Sequence, residues 1–278
     1  MSRTRGVRPN GGLTEGMEIA RENGVRLYWT AAGTGPTVVL SHDWLADHRV
    51  FDRLTPSLVE GGFRVVRWDV RAHGRSSRGM GPTSFPDLVA DLRAVATAAG
   101  GGPVTLVGHD LGAQLSMALS VEPGAWRGAS LWSIDPALAV THRARQALLT
   151  AAQHVTIRPL VLGLEALWFK QNPEHDPALA THLRRTATTL SAAAVREVAA
   201  ADPPDFTEIV NRLTIPVQIL WGDADRLLRP YAGKELLSRI PHATGRPIPD
   251  AAHQIAVDQP RALEQELLAW LRQLPSAE

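Results

Sequence analysis

The stretch Val104–Leu119, VTLVGHDLGAQLSMAL, decides the fold of this chain. Its first part is an apolar, β-branched run, and its second part carries apolar residues at helical spacing. Gly108 and Gly112 lie two residues before and after Asp110, and a sharp strand-to-helix turn needs small residues at those positions. The stretch therefore predicts a buried strand, a strained turn and a helix, with the Asp110 carboxylate projecting from the end of a sheet.

Short β-branched runs alternate with longer helical patterns along most of the chain. The predicted strands, several of them apolar without alternation, are Val25–Trp29, Thr37–His42, Arg64–Val70, Val104–Asp110, Ala129–Asp135 and Val217–Asp223. The clearest helical patterns are Phe85–Gly100, Gly112–Val121 and Pro260–Leu274. Strands that are apolar throughout are typical of parallel sheets covered on both faces. The order predicts an α/β fold with a doubly wound, mainly parallel sheet.

Residues 136–213 break this alternation. They are rich in Ala, Leu and Arg, show helical patterns and contain no convincing strand. A single crossover needs far fewer residues, so we interpret the region as a helical cap inserted into an α/β core, with ordinary crossover helices as the alternative. The predicted division is a flexible tail over 1–24, a core over 25–135 and 214–278, and the cap between them.

The bulk composition narrows the possible partners. A chain of 278 residues can bury a large core as one domain. With 29 basic and 28 acidic residues it has no electrostatic case for nucleic acid or an anionic membrane as partner. No apolar run approaches the roughly 20 residues of a membrane span, and the absence of cysteine excludes disulfides and thiolate chemistry. We therefore expect a cytoplasmic protein. Its eight tryptophans and the leucine-rich region 136–213 favour a largely apolar small molecule as ligand.

A turn of this kind needs an acid and a histidine after later strands. Asp225 follows the last predicted strand, and His253 lies in a loop before the last helix. The order Asp110, Asp225, His253 is the nucleophile–acid–base order of this architecture. Two alternatives stay open: Asp225 or Asp223 could be a helix N-cap, and Asp250 could orient His253 instead.

At these residues the chain resembles the α/β-hydrolase fold family, over nearly its whole length. The segments that carry the resemblance are SHDWLADHRVF, RWDVRAHGRSS, the turn at Asp110, WGDADRL and AAHQIAVDQP. Because it has aspartate at this turn, the chain resembles one subset of the family. This subset comprises haloalkane dehalogenases, haloacetate dehalogenases and epoxide hydrolases. The resemblance implies that the insertion is a cap and that the active site lies between cap and sheet.

The resemblance also implies a reaction. In this subset the carboxylate, here Asp110, displaces a leaving group from a saturated carbon and forms an alkyl-enzyme ester. A histidine, here His253 oriented by Asp225, then activates the water that hydrolyses the ester. The family pattern places the N–H groups of Trp44 and Leu111 in the oxyanion hole. The predicted function is a hydrolase that cleaves a carbon–halogen or epoxide C–O bond, with no cofactor.

The side chains that would hold the leaving group differ from the corresponding side chains of epoxide hydrolases and haloalkane dehalogenases. Epoxide hydrolases of this kind use two cap tyrosines, but the chain has only Tyr28 and Tyr231, both outside the predicted cap. Haloalkane dehalogenases have a tryptophan directly after the nucleophile, which this chain lacks. Trp168 resembles a cap tryptophan of several relatives. We expect an indole N–H of Trp44 or Trp168 to point into the cavity above Asp110.

Asp43 stands where the family usually has glycine. A second carboxylate near Asp110 should raise the pKa of one of the pair. The predicted substrate-binding residues are His42, Asp43, His109, His154 and Trp168. The only local cluster of possible metal ligands is His42, Asp43, Asp47 and His48. We expect no metal there, because the family uses this loop otherwise.

Two other classes of function stay open. A non-hydrolytic enzyme on the same scaffold would use His253, with or without Asp110, for acid–base chemistry. Examples are a natural-product tailoring enzyme and the cofactor-free ring-cleaving dioxygenases, which the segment WLADHRVF also resembles. A catalytically silent binding protein is the third class, although the retained Asp225 and His253 count against it. The substrate and the oligomeric state, a homodimer among the options, stay open.

Overall fold

The computed structural model describes residues 16–21, 24–100, 102–135, 167–191, 206–228 and 231–275, together with 193–194, 197, 201 and 203–204. The described strands form one eight-stranded sheet in the order β1-β2-β4-β3-β5-β6-β7-β8. The strands are β1 Met17–Ala20, β2 Arg26–Ala32, β3 Thr37–Ser41, β4 Arg64–Trp68, β5 Val104–His109, β6 Trp126–Trp132, β7 Val217–Gly222 and β8 Ala243–Ile248. The pairs β1–β2 and β2–β4 are antiparallel, and all the others are parallel.

The described helices follow the strands on both faces of the sheet. A 3₁₀ helix covers His48–Phe51, and the α-helices are α1 Leu54–Glu60, α2 Phe85–Ala98, α3 Leu111–Ser120, α4 Pro177–Thr189, α5 Phe206–Asn211, α6 Ala232–Arg239, α7 Ile255–Asp258 and α8 Pro260–Leu271. Local sequence explains where α2 begins. Ser84 and Asp87 form a reciprocal capping box at its first turn, which satisfies backbone N–H groups that have no partner in the helix.

Two apolar layers enclose the sheet. Alternate residues of each strand belong to different layers, as the two-residue period of a strand requires. Leu106 on β5, for example, packs with α2 and α3, whereas Val107 packs with α1 and α8. Every residue of β3, β5 and β7 is buried. The predicted doubly wound, mainly parallel sheet is confirmed.

Two strands were missed, and the predicted bounds of β2 and β6 differ from the structure by up to three residues. The predicted tail over 1–24 contains β1, which pairs with β2, so this part of the prediction was wrong. β8 was missed because its sequence ATGRPI combines glycine, proline and arginine in a strand that is largely exposed. β6 begins at Trp126 and ends at Trp132, three residues before the predicted end.

The structure describes only part of the predicted cap over 136–213. Residues 167–191 contain α4, and α5 covers Phe206–Asn211. Within the described part of this region there is no strand. Residues 136–166, His154 among them, lie outside the described residues. The division into core and cap therefore stays a prediction. Among the described helices, none is long and apolar enough to cross a membrane.

Candidate active site

Asp110 lies at the sharp turn between β5 and α3. Its backbone has φ 46° and ψ −107°, a left-handed conformation that a residue with a side chain adopts rarely. Its N–H donates to the Trp132 carbonyl at 3.0 Å, and its carbonyl accepts from the Gln114 N–H at 2.9 Å. These two bonds tie the turn to β6 on one side and to α3 on the other. The strained strand-to-helix turn predicted from the sequence is confirmed.

The two glycines are required by close backbone approaches. A Cβ atom on Gly108 would lie 2.1 Å from the Gly112 carbonyl oxygen. A Cβ atom on Gly112 would lie 2.1 Å from the carbonyl oxygen of Ser41, at the end of β3. The first contact closes the turn on itself, and the second presses the start of α3 against the loop after β3. The glycines therefore bring that loop beside Asp110.

This approach places both predicted oxyanion donors near the turn. Leu111 is the first residue of α3, so its N–H has no carbonyl partner within the helix. Trp44 lies in the loop after β3, directly before Leu45, whose φ of 78° bends the chain. The assignment of these two N–H groups to an oxyanion hole stays a prediction.

The two candidate indoles are both near the core. The Trp44 Nε1 atom is buried and has no hydrogen-bond partner among the described residues. Trp168 is also buried, and its carbonyl accepts from the Gln254 N–H at 3.0 Å, one residue from His253. Its side chain packs in the layer that contains α1 and α8. That either indole N–H points above Asp110 stays a prediction.

Asp225 and His253 form a hydrogen-bonded pair. The His253 Nδ1–H donates to Asp225 Oδ2 at 2.9 Å, and both side chains are almost fully buried. The other oxygen, Oδ1, accepts from the N–H groups of Leu227 and Leu228 at 2.8 and 3.2 Å. Asp225 thus caps a turn and orients the histidine at once. Asp250, the alternative acid, is exposed and pairs with Lys170 Nζ at 2.6 Å instead.

The charges of Asp110, Asp43 and Asp225 all act on the pKa of His253. Burial alone would lower the pKa of His253, but the Asp225 charge and hydrogen bond, then the charges of Asp110 and Asp43, raise this pKa to about 9. Burial would likewise raise the pKa of Asp225, yet the charge and hydrogen bond of His253 bring it below its ordinary value. The imidazolium form of His253 is therefore favoured while these carboxylates are ionised.

Asp43 is the second carboxylate expected near Asp110. Its Oδ2 accepts a hydrogen bond from the Gln254 side chain, and its Oδ1 is buried without a partner in any other described residue. Burial raises the pKa of Asp43 to about 7, with the Asp110 charge adding to the rise and the His253 charge opposing it. Of the two carboxyl groups, Asp43 is thus the one with a raised pKa, and burial contributes more to the rise than the Asp110 charge does.

His42 is bonded to the backbone of two loops. Its Nδ1–H donates to the Asp43 carbonyl at 2.7 Å, and its Nε2 accepts from the Val70 N–H at 3.0 Å. Both ring nitrogens are therefore used by the backbone, and burial lowers the pKa of this histidine. The imidazole joins the loops after β3 and β4, and contact of His42 with a substrate stays a prediction.

His109 contacts the candidate base directly. Its Nε2–H donates to the His253 carbonyl at 2.9 Å, and the two ring centroids are 4.9 Å apart. Burial, together with the positive charge of His253, lowers the pKa of His109 to about 3, so the ring is neutral. Its Nδ1 therefore has a free lone pair, 3.8 Å from Asp43 Oδ2.

Two residues of this site were missed by the sequence analysis. Gln254 holds Asp43 across 211 residues of sequence. Ser133 follows β6 with a strained φ of 45°, and its Oγ–H donates to the His253 carbonyl at 3.1 Å. The position of Gln254 directly after His253 is the one signal that could have drawn attention to it. Nothing in the sequence marks Ser133.

The possible metal ligands differ from the predicted loop cluster. His48 bonds to Asp69 at 2.8 Å and Asp47 to His182 at 2.9 Å, so that cluster is divided among separate partners. Among the described residues, the group that could hold a metal ion is instead Asp43, His109 and His253, with one ligand atom of each within 4.8 Å of the others.

Sequence comparisons connect the chain with known hydrolases. The family model described as "Serine aminopeptidase, S33" matches residues 34–260. The "Bifunctional epoxide hydrolase 2" of Sus scrofa is 22% identical over 89% of this chain, which spans 53% of that relative. The "Soluble epoxide hydrolase" of Corynebacterium sp. (strain C12) is 23% identical over 86% of this chain and 91% of that relative. The "Non-heme haloperoxidase" of Rhodococcus erythropolis is 22% identical over 91% and 98% of the two chains.

Solved structures show the same fold at low identity. An esterase from Thermogutta terrifontis superposes with a TM-score of 0.83 at 21% identity, covering 94% of this chain and 99% of its own. A bromoperoxidase from Bacillus anthracis has a TM-score of 0.84 at 19% identity, covering 93% and 100%. The eight-stranded sheet and the turn at Asp110 agree with the family match over most of the chain. The chain belongs to the α/β-hydrolase family.

Proposed function

We propose that this protein is a hydrolase that uses Asp110 as a nucleophile on a saturated carbon of an apolar small molecule. The bond cleaved is an epoxide C–O or a carbon–halogen bond. The observation that carries the proposal is the carboxylate at the strained turn, directly before α3, whose charge acts on the His253–Asp225 pair. Epoxide hydrolases among the relatives, such as those of Sus scrofa and Corynebacterium, support this class of reaction.

The carboxylate determines the kind of substrate. In the first step an oxygen of Asp110 forms a bond to carbon, and the leaving oxygen or halide departs with the electron pair of the broken bond. The product is an alkyl ester, which is stable enough to await a second step. The same attack on an acyl group would give a labile anhydride. Asp110 therefore argues against the serine-type peptidase or esterase chemistry of other family members.

The second step uses the histidine pair. His253, held by Asp225, removes a proton from a water that attacks the ester carbonyl of Asp110. The N–H groups of Leu111 and Trp44 would stabilise the resulting oxyanion. Ester formation also removes the negative charge of Asp110, one of the charges that favours the imidazolium form of His253. The histidine is thus easier to deprotonate when the ester is present.

Trapping the ester tests the nucleophile. In the variant His253→Gln, alkylation stays possible but hydrolysis is blocked, so the ester should accumulate on the peptide that contains Asp110. The mass of the intact protein distinguishes the substrates: an epoxide adds its whole mass, and a haloalkane adds its mass less that of the hydrogen halide. The matched variant Asp110→Asn should show neither adduct nor turnover. A substrate that the wild type converts but that leaves no mass on His253→Gln would contradict the proposal.

A second candidate is acid–base chemistry without a covalent intermediate. It is favoured by Asp43, a buried second carboxyl group within electrostatic reach of His253 and Asp110. In that case His253 would take a proton from the substrate itself, and His253→Gln would abolish the first chemical step. The same trapping experiment separates the two candidates, because acid–base chemistry leaves Asp110 unmodified with every substrate that turns over.

A further inference from the structure

The side chains of Asp43, His109 and His253, the candidate base, are buried close to one another. The Nδ1–H of His253 is used by Asp225, and the Nε2–H of His109 is used by the His253 carbonyl. The nitrogens left over are Nε2 of His253 and Nδ1 of His109. The latter lies 3.8 Å from Asp43 Oδ2, and one ligand atom of each of the three residues lies within 4.8 Å of the others.

Asp43, the third of these residues, has a carboxylate oxygen that accepts no hydrogen bond from another described residue. Asp43 is 4% exposed, and its Oδ1 has no hydrogen-bond partner in another described residue. A buried polar atom without a partner is costly and calls for an explanation. The amide of Gln254 fixes Oδ2 and so orients the carboxylate. An ion bound by this carboxylate would give it a further partner.

The surrounding hydrogen bonds are compatible with metal binding. Metal-binding histidines usually donate their second ring N–H to a carboxylate or to a backbone carbonyl. His253 donates to the Asp225 carboxylate, and His109 donates to a carbonyl. Two imidazoles and one carboxylate suit Zn²⁺ and neighbouring divalent transition metals. Two ligands of a tetrahedral Zn²⁺ are about 3.4 Å apart, so the pair at 3.8 Å needs only a small shift.

The charges also favour a cation. The partners of Asp43 and Asp225 in the described part of the chain are histidines, an amide and backbone N–H groups, not lysine or arginine. The charge of Asp110 acts on the same histidine. A divalent ion would therefore be attracted by the carboxylates of Asp43 and Asp225, whose described partners include no lysine or arginine.

We propose that Asp43, His109 and His253 bind one divalent transition-metal ion of the zinc class. Binding of the ion releases the Nε2 proton of His253 to solvent and occupies the lone pair that the proposed hydrolysis needs for its water. Occupancy of the site therefore inhibits the enzyme, a consequence that rests on the proposed function. The binding itself does not depend on it.

Metal titration of the full chain tests the site. Chelator-treated protein is titrated with Zn²⁺ by calorimetry and with Co²⁺ by visible absorption. We expect one ion per chain, and at least about tenfold weaker binding in each of the variants Asp43→Asn and His109→Gln. Asp225→Asn keeps all three ligands and should also weaken binding about tenfold, because His253 loses its orienting partner.

A matched control is His182→Gln. His182 is a partly buried histidine bonded to an aspartate, Asp47, as His253 is to Asp225. This variant should bind Zn²⁺ as the wild type does. Thermal unfolding without metal shows which variants are folded, and Asp225→Asn gives a further test if one ligand variant is not. Absence of binding, or binding unchanged in Asp43→Asn and His109→Gln, would overturn the proposal. Binding is read without turnover, so this failure is distinguishable from failure of the ester-trapping experiment.

Discussion

Asp43 and Gln254 are joined by a side-chain hydrogen bond that links two distant loops, one after β3 and one before α7. The bond connects the loop that carries Trp44 with the loop that carries His253. Both side chains are almost fully buried, so water cannot replace the bond when it is lost. The relative position of the candidate base and the candidate oxyanion donors therefore depends on this amide.

Removing the amide should destabilise the fold. We expect Gln254→Met to lower the free energy of unfolding by about 2 kcal/mol, because a buried carboxylate loses a hydrogen bond. Urea denaturation followed by circular dichroism measures this. The matched control is Gln265→Met on the exposed face of α8, which should change stability by less than about 0.5 kcal/mol. Equal stability of the two variants would show that the bond contributes nothing.

The acid of the histidine pair can be identified by two conservative variants. Asp225→Asn removes the charge that orients His253 and should lower kcat by a factor of about 10³–10⁴. Asp250→Asn changes an exposed carboxylate paired with Lys170 and should leave kcat within about twofold. Steady-state kinetics on any substrate found by screening epoxides and haloalkanes gives both values. The reverse order would assign the acid to Asp250.

The close approach at the start of α3 should tolerate no side chain. Gly112→Ala places a Cβ atom 2.1 Å from the Ser41 carbonyl oxygen, where neither backbone can move easily. We expect a loss of about 3 kcal/mol or more, measured by thermal or urea unfolding. Gly81→Ala is the control, because nothing lies within 4 Å of its Cβ position. A stable, active Gly112→Ala protein would contradict the described geometry of the turn.

Stability at acidic pH should depend on Asp69. Burial would raise the pKa of Asp69, but the hydrogen bond and charge of His48, the charge of His42 and the Arg75 N–H bring it below its ordinary value. A carboxyl group with a lowered folded-state pKa stabilises the protein above its unfolded pKa and loses this contribution as the pH falls through the folded value. The stabilisation should therefore be complete above about pH 5 and should disappear in the acidic range below about pH 4.

The variant Asp69→Asn isolates this contribution. At pH 6 it should be less stable than the wild type by about 3 kcal/mol, because His48 loses a buried partner. The difference should shrink as the pH is lowered below about 4. Urea unfolding at a series of pH values measures it, with the exposed Asp223→Asn as control. A difference that is constant with pH would show that the charge of Asp69 is not responsible.

The sequence predicted the centre of the sheet better than its edges. β3, β5 and β7 are buried throughout, so their apolar runs are visible without the structure. β1 and β8 are edge strands, one of four residues and the other mostly exposed. Such strands carry polar residues, glycine or proline, and no hydrophobic pattern distinguishes them from loops. Their pairing is determined by the strands beside them.

The site shows a similar division. Asp110, Asp225 and His253 were predicted because a turn between glycines and a fixed order of residues point to them. The partners of buried polar side chains have no such signal. His42 was given a role in binding substrate, yet it bonds to the backbone of Asp43 and Val70. Gln254 was missed because its partner, 211 residues away, is brought near only by folding.

The double hydrogen bond at the His253 carbonyl has a further consequence. Its donors, His109 and Ser133, lie at the ends of the neighbouring strands β5 and β6. The loop that carries His253 is thus held at the carboxyl ends of two neighbouring parallel strands. The same loop also bonds to a residue of the region 136–213, because the Gln254 N–H donates to the Trp168 carbonyl. A substitution that shifts either contact would displace His253 as well, so the sheet and residue 168 constrain each other's evolution through this one loop.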